Sequence, residues 1–538
     1  MGLNPCRFDP GSGHFNYTMK TKTTKLIPSI ILIILFFTWI YNTKNNHQES
    51  SEINDLIKLI SKKYVDSISE EQLKQIIIEK ALLELDPHSS LIPKQELSLV
   101  NESMQGHFSG IGVSFRIIND TICIISVIEN GPSMHEGILA GDKIIKVNDQ
   151  NFNGSFLSND TVMKTLKGSS GSNISVQIKR PEHDSLLLFN IKRGHVDMSS
   201  IDAAFDIDSI YSYIKINRFT SNSYEEFIQN VKKLNLTQNQ VLILDLRSNP
   251  GGVLGDCYEI AEEFFKKGEL IFYTKTRNKI TRKFKSRKNG TLQKNKILVL
   301  VNENSASASE IIAGAIQDND RGLIIGRRTF GKGLVQEQFE LNDGSALRLT
   351  TQKYFTPSGR LIQKPYKGFS PEQENILSKI VNGEIINTDS IDFIDSVKFK
   401  TKKGRIVYGG GGIFPDVFVS EDTLDIIDIE RSEIYSDILK IHIQSYILSH
   451  FNIKEIKSQF NINSFAIKFE LIEKDIKNLE KYYNRLKTKE YIFFNEKEEI
   501  FFKKYIKTRI SEMIWGDNGL YRSMIEDDLY IKKIKQIN

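Results

Sequence analysis

Apolar residues change their spacing several times along the chain, and each change marks a different kind of element. From residue 52 to about 99 they recur at Ile53, Leu56, Ile57 and Ile60 and again at Leu73, Ile76, Ile77 and Leu82, the i, i+3, i+4 spacing of an amphipathic helix. Asp86-Pro87-His88-Ser89-Ser90 interrupts this lead-in, because proline stops the helix, and His88 reads as a turn residue. Between 106 and 193, short apolar or alternating runs at 122–128, 143–148 and 174–178 are broken by Gly and Asn, which predicts a small β-rich domain. Beyond 210, strands at 213–216, 241–246, 296–301 and 322–325 alternate with helices at 224–234, after Gly255 and at 308–316. Such alternation indicates a layered α/β domain. Past about 424, Lys, Glu, Ile and Phe recur at helical spacing without recognisable chemistry. The expected division is 1–50, 51–100 (helical), 101–200 (β-rich), 201–423 (α/β core) and 424–538 (helical).

A chain of 538 residues has room for about three domains. Its 26% charged and 40% hydrophobic residues are an ordinary globular balance, and the net charge of +5 is spread rather than clustered, so no nucleic-acid partner is expected. Cys6, Cys123 and Cys257 fall in different segments, which argues against a disulfide framework. One stretch departs from the soluble pattern. Residues 26–41, LIPSIILIILFFTWIY, carry no charge and follow Lys20, Lys22 and Lys25. The run is slightly short of the ~17 to 25 residues of a usual span. No small-residue cleavage site follows it, and the first alanine is Ala81, so it reads as an uncleaved signal anchor. The upstream lysines then predict a cytoplasmic N-terminus, with Trp39 and Tyr41 at the interface. Met19 is an alternative start directly before the lysines.

Three segments carry candidate chemistry. In Ser305-Ala306-Ser307-Ala308-Ser309-Glu310, small residues and hydroxyls lie between a buried strand and an Ala-rich helix. A strand-to-helix turn presents a nucleophile beside free helical N–H groups, although Ser307-x-x-Glu310 is equally a capping box. In Phe330-Gly331-Lys332-Gly333 a lysine stands between two glycines, which suggests close backbone approach. As a general base toward serine, Lys332 needs burial to lower its pKa from about 10.4; otherwise it is a loop charge. The third, LDLRSNPGG at 244–252, leaves a strand for a turn with paired glycines whose N–H groups suit an oxyanion hole, or is an ordinary strand-ending turn. Earlier in the chain, Gly110-Ile111-Gly112-Val113, Gly131-Pro132, and Gly137-Ile138-Leu139-Ala140-Gly141-Asp142 with Val147-Asn148 resemble a PDZ domain. In that fold a glycine loop holds a terminal carboxylate while the peptide adds to a sheet edge.

With DPHSS at 86–90, Gln317-Asp318-Asn319-Asp320-Arg321 and YFTPSGR at 354–360, these segments, in this order from about 64 to 417, resemble the C-terminal processing peptidases, or tail-specific proteases. The resemblance implies an α/β Ser-Lys protease core with an inserted PDZ domain. By it, Ser307 is the nucleophile and Lys332 the general base, with Gln336 placing the lysine. Gly252 and Ala308 supply oxyanion N–H groups, Asp318 is a supporting polar residue, and Gly110, Ile111, Gly112 and Val113 receive substrate tails. It implies polypeptide substrates, no metal or cofactor, and a bacterial inner-membrane protein with its catalytic part on the periplasmic side; a homo-oligomer or an adaptor is compatible with it. Met134-His135-Glu136-Gly137, and Lys167-Gly168 where the family commonly has Arg-Gly, depart from its pattern and bear on peptide preference and gating. The Gly409–Gly412 run resembles the ending of the protease domain in some members, and lacks the Lys-Ser/Thr of a phosphate loop. Two other readings compete. A non-catalytic PDZ scaffold has no use for a costly buried lysine, and none of the nine histidines that a Ser-His-Asp hydrolase would draw on falls in the three segments.

Overall fold

The computed structural model describes residues 52–118, 120–154, 156–180, 183–276, 279–365, 397–420, 443–486 and 493–537. The apolar run at 26–41, Met19 and Cys6 lie outside them. Among the described residues no helix is long and apolar enough to cross a membrane. The chain divides into two compact units, residues 1–82 and 83–538. The first is helical where described, over 52–63 and the start of the helix Glu70–Leu85.

The second unit is built on a six-stranded sheet in the order Ile201–Asp206, Tyr211–Ile216, Val241–Asp245, Lys296–Val301, Gly322–Gly326, Val417–Phe418. The first pair is antiparallel and the rest parallel. Its central strands are buried on both faces, which is why they read as unbroken Val, Ile and Leu runs rather than alternations. One face packs on helices Ser223–Leu234, Leu254–Glu262 and Ala308–Asp318 through Phe227, Ile260 and Ile312. The other face carries Phe205, Tyr213, Ile243 and Leu300 and is covered by Ile525, Tyr530, Ile531 and Ile534 from the end of the chain.

A second sheet was not foreseen in the pattern of the sequence. Strands Ser90–Ile92, Ala346–Phe355, Leu270–Thr276 and Lys279–Lys285 run in that order, with Leu334–Glu340 also paired to Ala346–Phe355. It joins the 86–90 turn to the strand that follows Lys332. The β-rich domain is entered and left through the ribbon His107–Gly110 with Gly194–Asp197. Its sheet runs Val113–Ile118, Thr121–Val127, Lys143–Val147, Asn173–Lys179, Leu187–Lys192 around Ile122, Ile144, Val176 and Ile191.

The C-terminal helices Ile443–His450, Ile453–Gln459, Ile462–Lys468, Glu473–Leu486 and Glu496–Met524 share their own core around Tyr446, Phe465, Leu479 and Phe502. The long helix breaks at Gly516, whose φ is 62° and ψ −151°. It touches both neighbours. Arg116 of the β-rich domain donates to Tyr505 Oη at 3.5 Å, and Asn518 Oδ1 accepts the Ala204 N–H of the six-stranded sheet at 2.9 Å. The last helix, Leu529–Ile537, packs on the six-stranded sheet instead, so only the end of this region extends the core of that sheet.

Candidate active site

Ser307 stands at the turn from strand Lys296–Val301 into helix Ala308–Asp318, with φ 54° and ψ −113°. Positive φ is costly for a residue with a Cβ and persists only where the surroundings impose it. The surroundings do so here. The Ser307 N–H donates to Glu310 Oε2 at 2.9 Å, the reciprocal half of a capping box, and Tyr354 Oη donates to the Ser307 carbonyl at 3.1 Å. Ser307 itself is half-buried.

Glu310 does more than cap. Fully buried, it also accepts Thr329 Oγ1 at 2.6 Å, the Gly331 N–H at 2.7 Å and the Lys332 N–H at 2.8 Å. One carboxylate thus ties the serine turn to the lysine loop. Burial raises its pKa against the pull of these donors. The Gly409–Gly412 run backs the same loop: the Ile413 N–H donates to Thr329 Oγ1 at 2.6 Å and the Thr329 N–H to the Ile413 carbonyl at 3.1 Å. A Cβ on Gly331, which has φ 94°, would lie 3.1 Å from Gly412 N, the close approach that the flanking glycines suggested.

Lys332 Nζ donates to Gln336 Oε1 at 3.0 Å. Gln336 Nε2 in turn donates to the His88 carbonyl at 2.5 Å. The 86–90 turn is rigid because Asp86 accepts the His88 and Ser89 N–H groups, both at 2.8 Å, and Ser89 Oγ at 2.7 Å. Burial lowers the Lys332 pKa, and Arg348 adds to this while Asp86 and Glu310 oppose it. The same burial, with the charge of Lys332, pushes the His88 imidazole down to about 4.

Ser307, Lys332, Gln336, Gly252 and Ala308 line one cavity of about 760 Å³. Its remaining walls are largely apolar, from Leu99, Met104, Phe219, Val253 and Leu334, and Arg218 and Arg348 also line it. No histidine lines it among the described residues. Gly252 has φ 142°, and a Cβ there would fall 1.9 Å from the Phe219 carbonyl oxygen, so no other residue fits this backbone. Among the described residues neither the Gly252 nor the Ala308 N–H meets an acceptor, although the neighbouring Gly251 N–H donates to Asn249 Oδ1 at 2.8 Å. The helix Ala308–Asp318 directs its positive end toward the same place.

Asp318 sits elsewhere. It pairs with Arg360 at 2.5 Å, both side chains fully buried, and accepts Ser358 Oγ at 2.6 Å; it does not line the cavity. In the β-rich domain Gly110 ends one strand and Val113 begins another, with Gly112 at φ 76° between them. Ile111 is a core residue, 2% exposed, and its carbonyl accepts the Ser133 N–H, so only its backbone N–H is left to meet a ligand. Strand Val113–Ile118 is paired on one side only among the described residues. Glu310, Tyr354 and His88 are parts of the site that the sequence reading assigned to capping, to a motif and to a turn. Only the spacing of Glu310 from Ser307 signalled one of them. Among the described residues no group of three or more His, Cys, Asp and Glu side chains is placed to hold a metal ion.

Residues 211–374 match the model of Peptidase family S41, and residues 109–192 that of the PDZ domain. A carboxy-terminal-processing protease of Bartonella bacilliformis is 30% identical over 400 residues, covering 73% of this chain and 89% of its own length. The carboxy-terminal processing protease CtpB of Bacillus subtilis is 32% identical over 326 residues, 60% of this chain and 66% of its own. Among solved structures the chain is similar to a photosystem II D1 C-terminal processing protease, 23% identical, with 70% of this chain and 88% of that one covered at a TM-score of 0.37. The chain belongs to the carboxy-terminal processing protease family, with an α/β peptidase core and a PDZ domain.

Proposed function

We propose that the protein is a serine endopeptidase that cuts polypeptides near their C-termini, with Ser307 as nucleophile and Lys332 as general base. The observation that carries this reading is the convergence on one cavity of Ser307, a half-buried lysine and two N–H groups that meet no acceptor among the described residues. Neutral Lys332 takes the proton of Ser307 Oγ as the oxygen attacks the scissile carbonyl, and the Gly252 and Ala308 N–H groups stabilise the oxyanion. The lysine then passes that proton to the departing amine. Water hydrolyses the acyl-serine by the same steps in reverse roles. Gln336, held by the His88 carbonyl, keeps Lys332 Nζ in place. Substrate tails add to the open edge of Val113–Ile118, with their carboxylate at the Gly110–Val113 loop. The apolar run at 26–41 anchors the chain in the bacterial inner membrane, with the protease on the periplasmic side.

The test is cleavage of an unfolded protein with an apolar C-terminus by the purified full-length chain. Ser307→Ala and Lys332→Ala are each expected to lower kcat by about 10⁴-fold, with melting temperatures near that of the wild type. Activity in the wild type should rise as pH climbs through the lowered Lys332 pKa. Retention of activity by either variant would remove the dyad.

A further inference from the structure

The strand Val241–Asp245 runs straight into the glycine turn at 247–252, so whatever fixes its exit also sets the direction of the Gly252 N–H. That exit is held by buried charge. The Asp245 carboxylate accepts Tyr213 Oη at 2.6 Å, the Arg247 N–H at 2.8 Å and Arg247 Nη2 at 2.6 Å. Lys215 Nζ lies 3.4 Å from Asp245 and donates to the Arg247 carbonyl. Beyond Arg247 the backbone is strained: Ser248 has φ 57° and its N–H donates to Asn302 Oδ1 at 2.7 Å. A non-glycine residue in this region stays there only while its neighbours hold it.

Arg247 has a second set of partners, from the far end of the chain. Its Nη2 pairs with Asp528 Oδ2 at 2.8 Å, and its guanidinium carbon lies 4.4 Å from the centroid of the Tyr530 ring. Asp528 divides its two oxygens. Oδ1 accepts the Tyr530 N–H at 2.8 Å at the start of helix Leu529–Ile537, and Oδ2 takes the arginine. The Arg247 side chain is 19% exposed, so without this outer partner water competes for the guanidinium. The clamp on Asp245 and on the strained turn then loosens.

We propose that Asp528 and Tyr530 are positioning residues for the oxyanion turn, acting through Arg247, so that docking of the C-terminal helix on the protease sheet completes the active site. This rests on the reading of Gly252 as an oxyanion donor. Asp528→Asn separates the two duties of the residue, since asparagine caps a helix as well as aspartate does but carries no charge for Arg247.

In the full-length chain kcat, KM, melting temperature and amide hydrogen exchange are compared for wild type, Asp528→Asn, Asp528→Glu and Tyr530→Leu. For Asp528→Asn the expected result is a fall in kcat of roughly tenfold to a hundredfold, short of the ~10² to 10³ for complete loss of an oxyanion donor, with KM within about twofold. Exchange should quicken across 248–252, and Asp528→Glu should recover part of kcat. Tyr530→Leu should lower kcat in the same way. Wild-type kcat in Asp528→Asn, or unchanged exchange across 248–252, overturns the inference. Should the wild type fail to cleave, the reading of the site falls, and the exchange comparison still decides whether Asp528 holds the turn.

Discussion

Lys332 shows how a single residue trades stability for chemistry. Burial lowers its pKa, so between that lowered value and about 10.4 the unfolded chain binds a proton that the folded chain has released. Stability therefore rises with pH across this window. Below the folded-state pKa the ammonium weighs fully against folding. Lys332→Met should accordingly melt at a higher temperature than the wild type at pH 7, the gap closing as pH approaches 10, while activity is lost. Thermal melts at several pH values measure this. A variant that melts lower at pH 7 would mean that the bond to Gln336 outweighs the desolvation of the lysine. Glu310 is the complementary case: its four hydrogen bonds hold two loops together from one fully buried position.

At the level of elements, the PDZ strand Val113–Ile118 has an open edge among the described residues and follows a glycine turn. The peptide backbone gains its hydrogen bonds from such an edge, whereas the loop N–H groups reward a terminal carboxylate. A peptide with a free C-terminus is expected to bind at least about tenfold more tightly than its amidated form, given the ~1.5 to 3 kcal/mol of a hydrogen bond to a charged group. Fluorescence anisotropy checks this, and equal affinities would exclude carboxylate capture at Gly110–Val113. The lysine strand Leu334–Glu340 is placed by a different kind of pairing. It hydrogen-bonds to Ala346–Phe355, and the register shifts between Val335 and Gln336, beside the residue that holds the lysine.

Across the whole molecule, the end of the chain is part of the protease. Ile525, Tyr530, Ile531 and Ile534 cover the sheet face formed by Phe205, Tyr213, Ile243, Leu300 and Ile325. At roughly 1.5 to 3 kcal/mol for each buried large side chain, their removal takes away an amount comparable to the ~5 to 15 kcal/mol by which a domain is stable. A chain ending at residue 524 should therefore fail to give a cooperative melt and should accumulate as aggregate. Size-exclusion chromatography with thermal melting tests this, and a soluble, cooperatively melting product would show that the sheet face does not need its cover. The buried pair Asp318–Arg360 is a structural tie away from the cavity. Arg360→Met would leave Asp318 as an unpaired buried charge, at about 3 to 5 kcal/mol, read as a loss in urea unfolding.

Much of this was written locally in the chain. The parallel strands were legible because burial on both faces demands unbroken apolar runs, and strand 296–301 appears at the predicted residues. The turn that carries Ser307 and the glycines around Lys332 were legible because backbone strain and close approach restrict which residues fit. What the sequence alone could not decide is which distant groups meet. Strands 334–340 and 346–355 have mixed, half-exposed faces, and their pairing depends on partners rather than on periodicity. Glu310 looked like a cap because its other three partners, Thr329, Gly331 and Lys332, are close only in space. Nothing in the helical spacing past 424 singles out Asp528, which meets Arg247 only in the folded chain. Local backbone preference acts over a few residues and is readable in order, whereas burial and charge pairing are properties of the assembled core.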